Sequence, residues 1–104
     1  MMRRIKPQEV LAAYRKTGLK PVRRKFGGKT CGCPATAMYV AAHGGKNGTR
    51  NLVINWMAAT YGGRYASGFF AGVDGFPEEA CSPTSFQGWA DGKQVARAVF
   101  GEGT

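Results

Sequence analysis

Val10, Leu11 and Tyr14 fall at i, i+1 and i+4, the spacing of one helical face, between Pro7 at a first helical position and Gly18 as a stop. This pattern predicts a first helix over residues 7–17. From Lys20 to Thr30 the helical period disappears. Pro21 opens that stretch, Val22 and Phe26 are its apolar residues, and Gly27-Gly28 reads as a turn. An extended arm, with a short hairpin strand as its most ordered form, is expected over 18–30.

Helical periodicity returns after Cys33. Pro34 suits a first helical position, and Ala35, Ala37, Met38, Val40, Ala41 and Ala42 give high propensity until Gly44-Gly45. This second helix is small-sided on every face, as expected of a central one. Leu52, Val53, Trp56, Met57 and Thr60 define a third helix that ends near Gly62-Gly63. Tyr65, Ala66, Phe69, Phe70 and Val73 define a fourth from about Gly63 to Asp74. Ser82 as cap and Pro83 at the first position open a fifth, over 83–100, with Phe86, Trp89, Ala90, Ala96, Val99 and Phe100 along one side.

The predicted class is therefore mostly α, a single domain over 1–104 with four or five short helices and a basic extended segment between the first two. Its aromatic core is expected to include Trp56, Phe69, Phe70, Trp89 and Phe100. The last two helices both carry a Gly-x-x-x-Gly spacing, Gly68/Gly72 and Gly88/Gly92. Each glycine costs a helix about 1 kcal/mol relative to alanine, so four of them point to closely packed backbones, within the chain or between two copies.

Composition adds little to the fold: 104 residues, 43% hydrophobic and 12% aromatic, are ordinary for one globular domain. Charge changes the picture. Ten of the 15 basic residues and only one acid, Glu9, lie in residues 1–29, which alone carry a net +9, while bases and acids balance from residue 30 onward. Residues 1–6 read as a flexible basic tail. Arg15, Lys16, Lys20, Arg23, Arg24, Lys25 and Lys29 form a run without an acid, the arrangement that attracts a polyanion. Phe26 and Tyr14 are candidates to stack on bases beside it, and equally candidates for the core. Lys20 to Lys25 also resembles a nuclear localisation signal.

Non-catalytic, non-specific binding of DNA or RNA phosphates by these seven residues is the leading expectation. A small adaptor or inhibitor that docks its cationic end on an acidic protein surface is the alternative. A third class rests on Cys31, Cys33 and Cys81, which with His43 number the four ligands of a structural zinc, though without paired-knuckle spacing. Cys33 at a helix N-terminus near Lys29 also suits a thiolate, but His43, about 15 Å along a straight helix, is too far to act as its base, and a small buried hydrophobe is the favoured reading of this cysteine.

Other chemistry is poorly supported. Gly28-Lys29-Thr30 matches the end of a phosphate-binding loop, but Arg23 stands where the motif needs its first glycine. No serine, histidine and carboxylate suggest a triad, and no cofactor is implied. Asn47-Gly48-Thr49 fits a glycosylation acceptor and reads more simply as a turn. No run approaches the roughly 20 apolar residues of a membrane span and no apolar signal stretch follows the basic start, so a cytoplasmic protein without membrane insertion and with reduced thiols is expected.

Overall fold

The computed structural model describes residues 3–23, 27–28, 30–77 and 83–101. They form helices α1 (Pro7–Thr17), α2 (Pro34–Ala42), α3 (Arg50–Tyr61), α4 (Gly63–Val73) and α5 (Pro83–Phe100), with a two-stranded sheet of β1 (Lys20–Pro21) and β2 (Cys31–Gly32) between α1 and α2. The periodicity placed all five helices within a residue or two. Local chemistry explains the boundaries. Pro7 stands at the first position of α1, Glu9 Oε1 accepts the Lys6 backbone N–H at 3.2 Å, and Gly18, at φ 73°, closes the helix in the left-handed conformation. Thr49 caps α3 by accepting the Leu52 N–H at 3.2 Å.

α2 lies at the centre, buried at every residue from Pro34 to Val40. α1 and α3 pack on it, α4 packs on α3 and α5, and α1 also touches α5. The small side chains of α2 let its neighbours approach on several sides, which accounts for a helix that is apolar all round.

The extended arm lies between α1 and α2 as expected, with Gly27 bridged antiparallel to Gly32 and the Gly28 N–H bonded to Cys31 O as in a short hairpin. β1 and β2 pair in parallel, Lys20 opposite Cys31 and Pro21 opposite Gly32. The Lys20 N–H bonds to Thr30 O and the Val22 N–H to Gly32 O, so the ladder steps over Pro21, which has no N–H to give. Gly27, at φ 112°, lies against β2, where its missing β-carbon leaves room for the Cys31 carbonyl.

The aromatic core differs in detail from the expectation. Phe69 is fully buried, Trp56, Phe70 and Phe100 are half-buried against the core, and Trp89 is half-buried with its indole N–H on Phe76 O. Four tyrosines instead carry much of the interior: Tyr14, Tyr39, Tyr61 and Tyr65. Tyr65, Phe69 and Val73 lie at i, i+4 and i+8, the single face of α4 turned inward. Tyr14 donates its hydroxyl to Gly32 O at 2.8 Å and is 7% exposed, so it is a core residue and not a surface for stacked bases.

Among the described helices, α4 and α5 make the closest contact. A β-carbon at Gly68 or Gly72 would come within 3.0 Å of the α5 backbone, and one at Gly88 or Gly92 within 3.0 Å of the α4 backbone. The paired Gly-x-x-x-Gly spacings are thus a seam within one chain.

Of residues 1–6, positions 3–6 are laid against this helix pair rather than trailing as a tail. Ile5 is 2% exposed, and its N–H donates to Tyr65 Oη at 2.7 Å. Tyr65 donates in turn to Asp91 Oδ2, and Arg4 clasps the same carboxylate with Nε and Nη2 at 3.0 and 2.8 Å. Asp91 holds the Arg4 guanidinium above its ordinary pKa, first through that hydrogen bond and then through its charge.

Burial raises the pKa of Tyr14, Tyr61 and Tyr65 above the ordinary tyrosine value, with Asp91 adding to the effect at Tyr65 and Glu9 at Tyr61. A tyrosine whose folded pKa exceeds its unfolded one stabilises the fold fully below the unfolded value, and that stability is lost as pH rises toward the folded one. The melting temperature is accordingly expected to stay level up to about pH 9 and to fall above about pH 10, with tyrosinate absorbance appearing together with loss of helix. Tyrosinate that forms with the helices intact would show these hydroxyls to be solvated.

Candidate nucleic-acid interface

The cationic surface begins in the last turn of α1. Arg15 and Lys16 are exposed there, where positive charge also complements the helix dipole. The Gly18 cap then turns the chain, and Leu19 buries its side chain among the core residues. Successive side chains of an extended segment point to opposite sides, so burial of Leu19 sends Lys20 outward, where it is exposed. Three of the seven predicted phosphate ligands, Arg15, Lys16 and Lys20, are therefore placed on the surface within six residues of chain.

Arg23 has a different environment. It is half-buried, donates Nε to the Val73 carbonyl at 3.0 Å, and lies over the Phe100 ring at 5.2 Å. A guanidinium at the last turn of α4 satisfies a carbonyl that the helix leaves open and ties the arm to α4 and α5. Arg24, Lys25 and Lys29, together with Phe26, lie outside the described residues.

Cys31 opens β2, Cys33 caps the start of α2, and His43 stands just beyond the end of α2, stacked on Tyr39 with ring centroids 3.9 Å apart and Nδ1 2.7 Å from Tyr39 O. The structure does not bring His43 to the cysteines. Cys81 lies outside the described residues, and among those described no three His, Cys, Asp or Glu side chains cluster to hold a metal ion. Burial pushes the Cys33 thiol above its ordinary pKa despite hydrogen bonds from Thr36 and Ala35 at the helix N-terminus. Desolvation outweighs the helix end here, and Cys33 is a neutral, buried thiol rather than the thiolate that its position suggests.

Two features escape the sequence reading. One is the Arg4–Asp91–Tyr65 cluster, whose signal is an acid on the packed face of α5, in register with Gly88, Gly92 and Val95. The other is a groove of about 310 Å³ between α1, α2 and α3, with Arg3 and Lys16 among its lining residues, Trp56 and Tyr61 on one side and Ala12 on the other. Nothing in the local pattern of any one helix reveals it, because three helices and the N-terminal segment each contribute to its walls.

No helix among the described residues is long and apolar enough to cross a membrane. Comparison of the chain with family models, curated proteins and solved structures gives no match.

Proposed function

We propose that this protein binds nucleic acid through its phosphates, without catalysis, on the cationic surface formed by Arg15, Lys16 and Lys20. The observation that carries this reading is the exposure of those three side chains at one end of α1 and on β1, in a segment with no acid between Lys16 and Lys29. A solvated face that served only solubility would interleave both signs of charge. Arg24, Lys25 and Lys29 continue the same run in sequence. Arg23, engaged with Val73 and Phe100, anchors the arm and is not needed as a ligand. Phosphate contacts of this kind give affinity without base readout, so sequence preference is expected to be weak.

The test is affinity for unrelated DNA and RNA oligomers between about 50 and 200 mM salt. If about six phosphates are engaged, affinity falls about a thousandfold over that range, and changing Arg15, Lys16 and Lys20 to glutamine lowers the slope by about three contacts' worth. Absence of binding at the lowest salt overturns the proposal.

One observation favours the alternative of an acidic protein partner. Phe76 and Phe86 are 53% and 45% exposed, and Phe86 stacks on Trp89 at 6.0 Å, an aromatic surface of the kind found at protein interfaces. A salt-sensitive one-to-one complex with an acidic protein, and none with DNA or RNA, would establish that reading instead.

A further inference from the structure

The groove between α1, α2 and α3 combines three properties. Its volume, about 310 Å³, is that of the smallest ligand sites. Its walls are apolar and small: Ala12 and Ala13 from α1, Ala41 and Ala42 from α2. At its other side stands Trp56, half-buried, meeting Tyr39, His43 and Tyr61 at interplanar angles of 89°, 73° and 88°. Among the described residues no ring lies parallel to the indole, so none is stacked on its faces.

Charge at the groove is positive. Lys16, one of the three exposed cations of the proposed interface, lines it, and so does Arg3, whose guanidinium sits 5.3 Å from the centre of the Tyr61 ring. Glu9 is the one acid there. Its two oxygens are taken by the Lys6 N–H at 3.2 Å and by Arg3 at 3.5 Å, and the Arg3 side chain remains 63% exposed. The groove is thus an aromatic slot continuous, through Lys16, with a cationic surface.

We infer that this groove receives one unpaired base of a nucleic acid, stacked on Trp56, with the flanking phosphates on Lys16 and Arg3, so that the protein prefers single strands to duplexes. The inference rests on the polyanion reading of the same surface. A base within a duplex has both faces covered by its neighbours and offers none to an indole, whereas an unpaired base stacks freely. The walls select for flatness and not for identity. Alanine side chains offer no hydrogen bonds, and the Tyr61 hydroxyl is directed to Met38 Sδ at 4.0 Å. All four bases are therefore accepted, in DNA and RNA alike.

The experiment compares binding of oligo-dT and oligo-rU of about 12 nucleotides with a blunt duplex of the same length, for the native protein and for Trp56→Ala, Trp56→Phe and Ala12→Leu. Ala12 is exposed on α1, so leucine there fills the groove without entering the core. Both single strands are expected to bind more tightly than the duplex. Trp56→Ala and Ala12→Leu should each weaken single-strand binding about 10- to 100-fold, with duplex affinity unchanged, and Trp56→Phe should retain most of it. In a Trp89→Phe background, the fluorescence of Trp56 should be quenched by the single strands and not by the duplex.

Salt-sensitive binding that is equal for strand and duplex and indifferent to Ala12→Leu overturns the groove assignment and leaves the cationic surface standing. No binding of either oligomer overturns both. If Trp56→Ala fails to fold, Ala12→Leu and the quenching experiment decide the matter alone.

Discussion

Gly68→Ala is expected to destabilise the protein by about 2 kcal/mol or more, although alanine is the better helix former by about 1 kcal/mol. The gain in propensity is local and fixed, whereas the loss comes from the contact. An alanine β-carbon at Gly68 would meet the Ser85 carbonyl and the backbone nearby at less than 3.0 Å. Those atoms belong to the backbone of α5 and cannot swing aside as the end of a long side chain would. The helices must part along the whole seam, which also loosens Gly72 from Trp89 and Gly88 from Tyr65. Gly88→Ala, which meets the Tyr65 carbonyl from the other side, should cost a similar amount. Valine at either position should remove most of the roughly 5–15 kcal/mol that a domain of this size possesses. Gly63→Ala is the control: it lies at the first position of α4 with no atom within 4 Å of an added β-carbon, and should be neutral or slightly stabilising. Urea unfolding monitored by circular dichroism measures each of these variants. If Gly68→Ala raises the midpoint as Gly63→Ala does, the close approach of α4 and α5 is wrong.

That seam was legible in the sequence because its cause is local and repeated. Glycine at i and i+4 on two helices has few uses other than backbone contact, and the periodicity around it was unbroken. The five helices were legible for the same reason: Pro7, Pro34 and Pro83 mark their starts, and Gly18, Gly44 and Gly62 lie at their ends. The parallel pairing of β1 with β2 was not, since two-residue strands carry no alternation and the bond pattern around Pro21 appears only once Thr30 and Gly32 are brought alongside.

The cationic run illustrates the same division. Charge clustering in sequence is visible by counting, but whether a given cation faces solvent depends on tertiary contacts. Lys20 is turned outward by the burial of its neighbour Leu19, while Arg23, three residues later, is drawn onto Val73 and Phe100. Helical spacing places Phe69 in the core but does not reveal that Tyr14 and Tyr65 join it, because their burial depends on hydroxyl partners distant in the chain: Gly32 O for the first, Asp91 and the Ile5 N–H for the second.

Tyr65→Phe is expected to cost about 2–4 kcal/mol, far more than the loss of one hydroxyl at a surface. The hydroxyl both accepts from the Ile5 N–H and donates to Asp91, so its removal leaves a buried donor without a partner and leaves Asp91 Oδ2 with Arg4 Nε alone. The orphaned donor costs about 1–3 kcal/mol, and the hydrogen bond lost to the carboxylate adds to it. Asp91→Ala should be comparably severe, because Tyr65 then holds an unused donor and Arg4 loses both of its bonds to the carboxylate. Arg4→Ala should be the mildest of the three: its side chain is 55% exposed, so water reaches the face of the carboxylate that arginine vacates. The order of effects, with Tyr65 and Asp91 ahead of Arg4, follows from burial rather than from formal charge. The double variant Tyr65→Phe/Asp91→Ala should cost clearly less than the two single losses added together, since each alone already breaks the shared bond. The site-specific readout is hydrogen exchange at Ile5. Its amide should be protected in the native protein and exchange rapidly in Tyr65→Phe while the α2 amides stay protected, because what the tyrosine secures is the attachment of residues 3–6. Release of that segment also removes Arg3 from the groove beside Tyr61, so Tyr65→Phe should weaken single-strand binding at a distance from any base. Unchanged exchange at Ile5 in this variant would show that the segment is held by the burial of its side chain and not by the hydrogen bond.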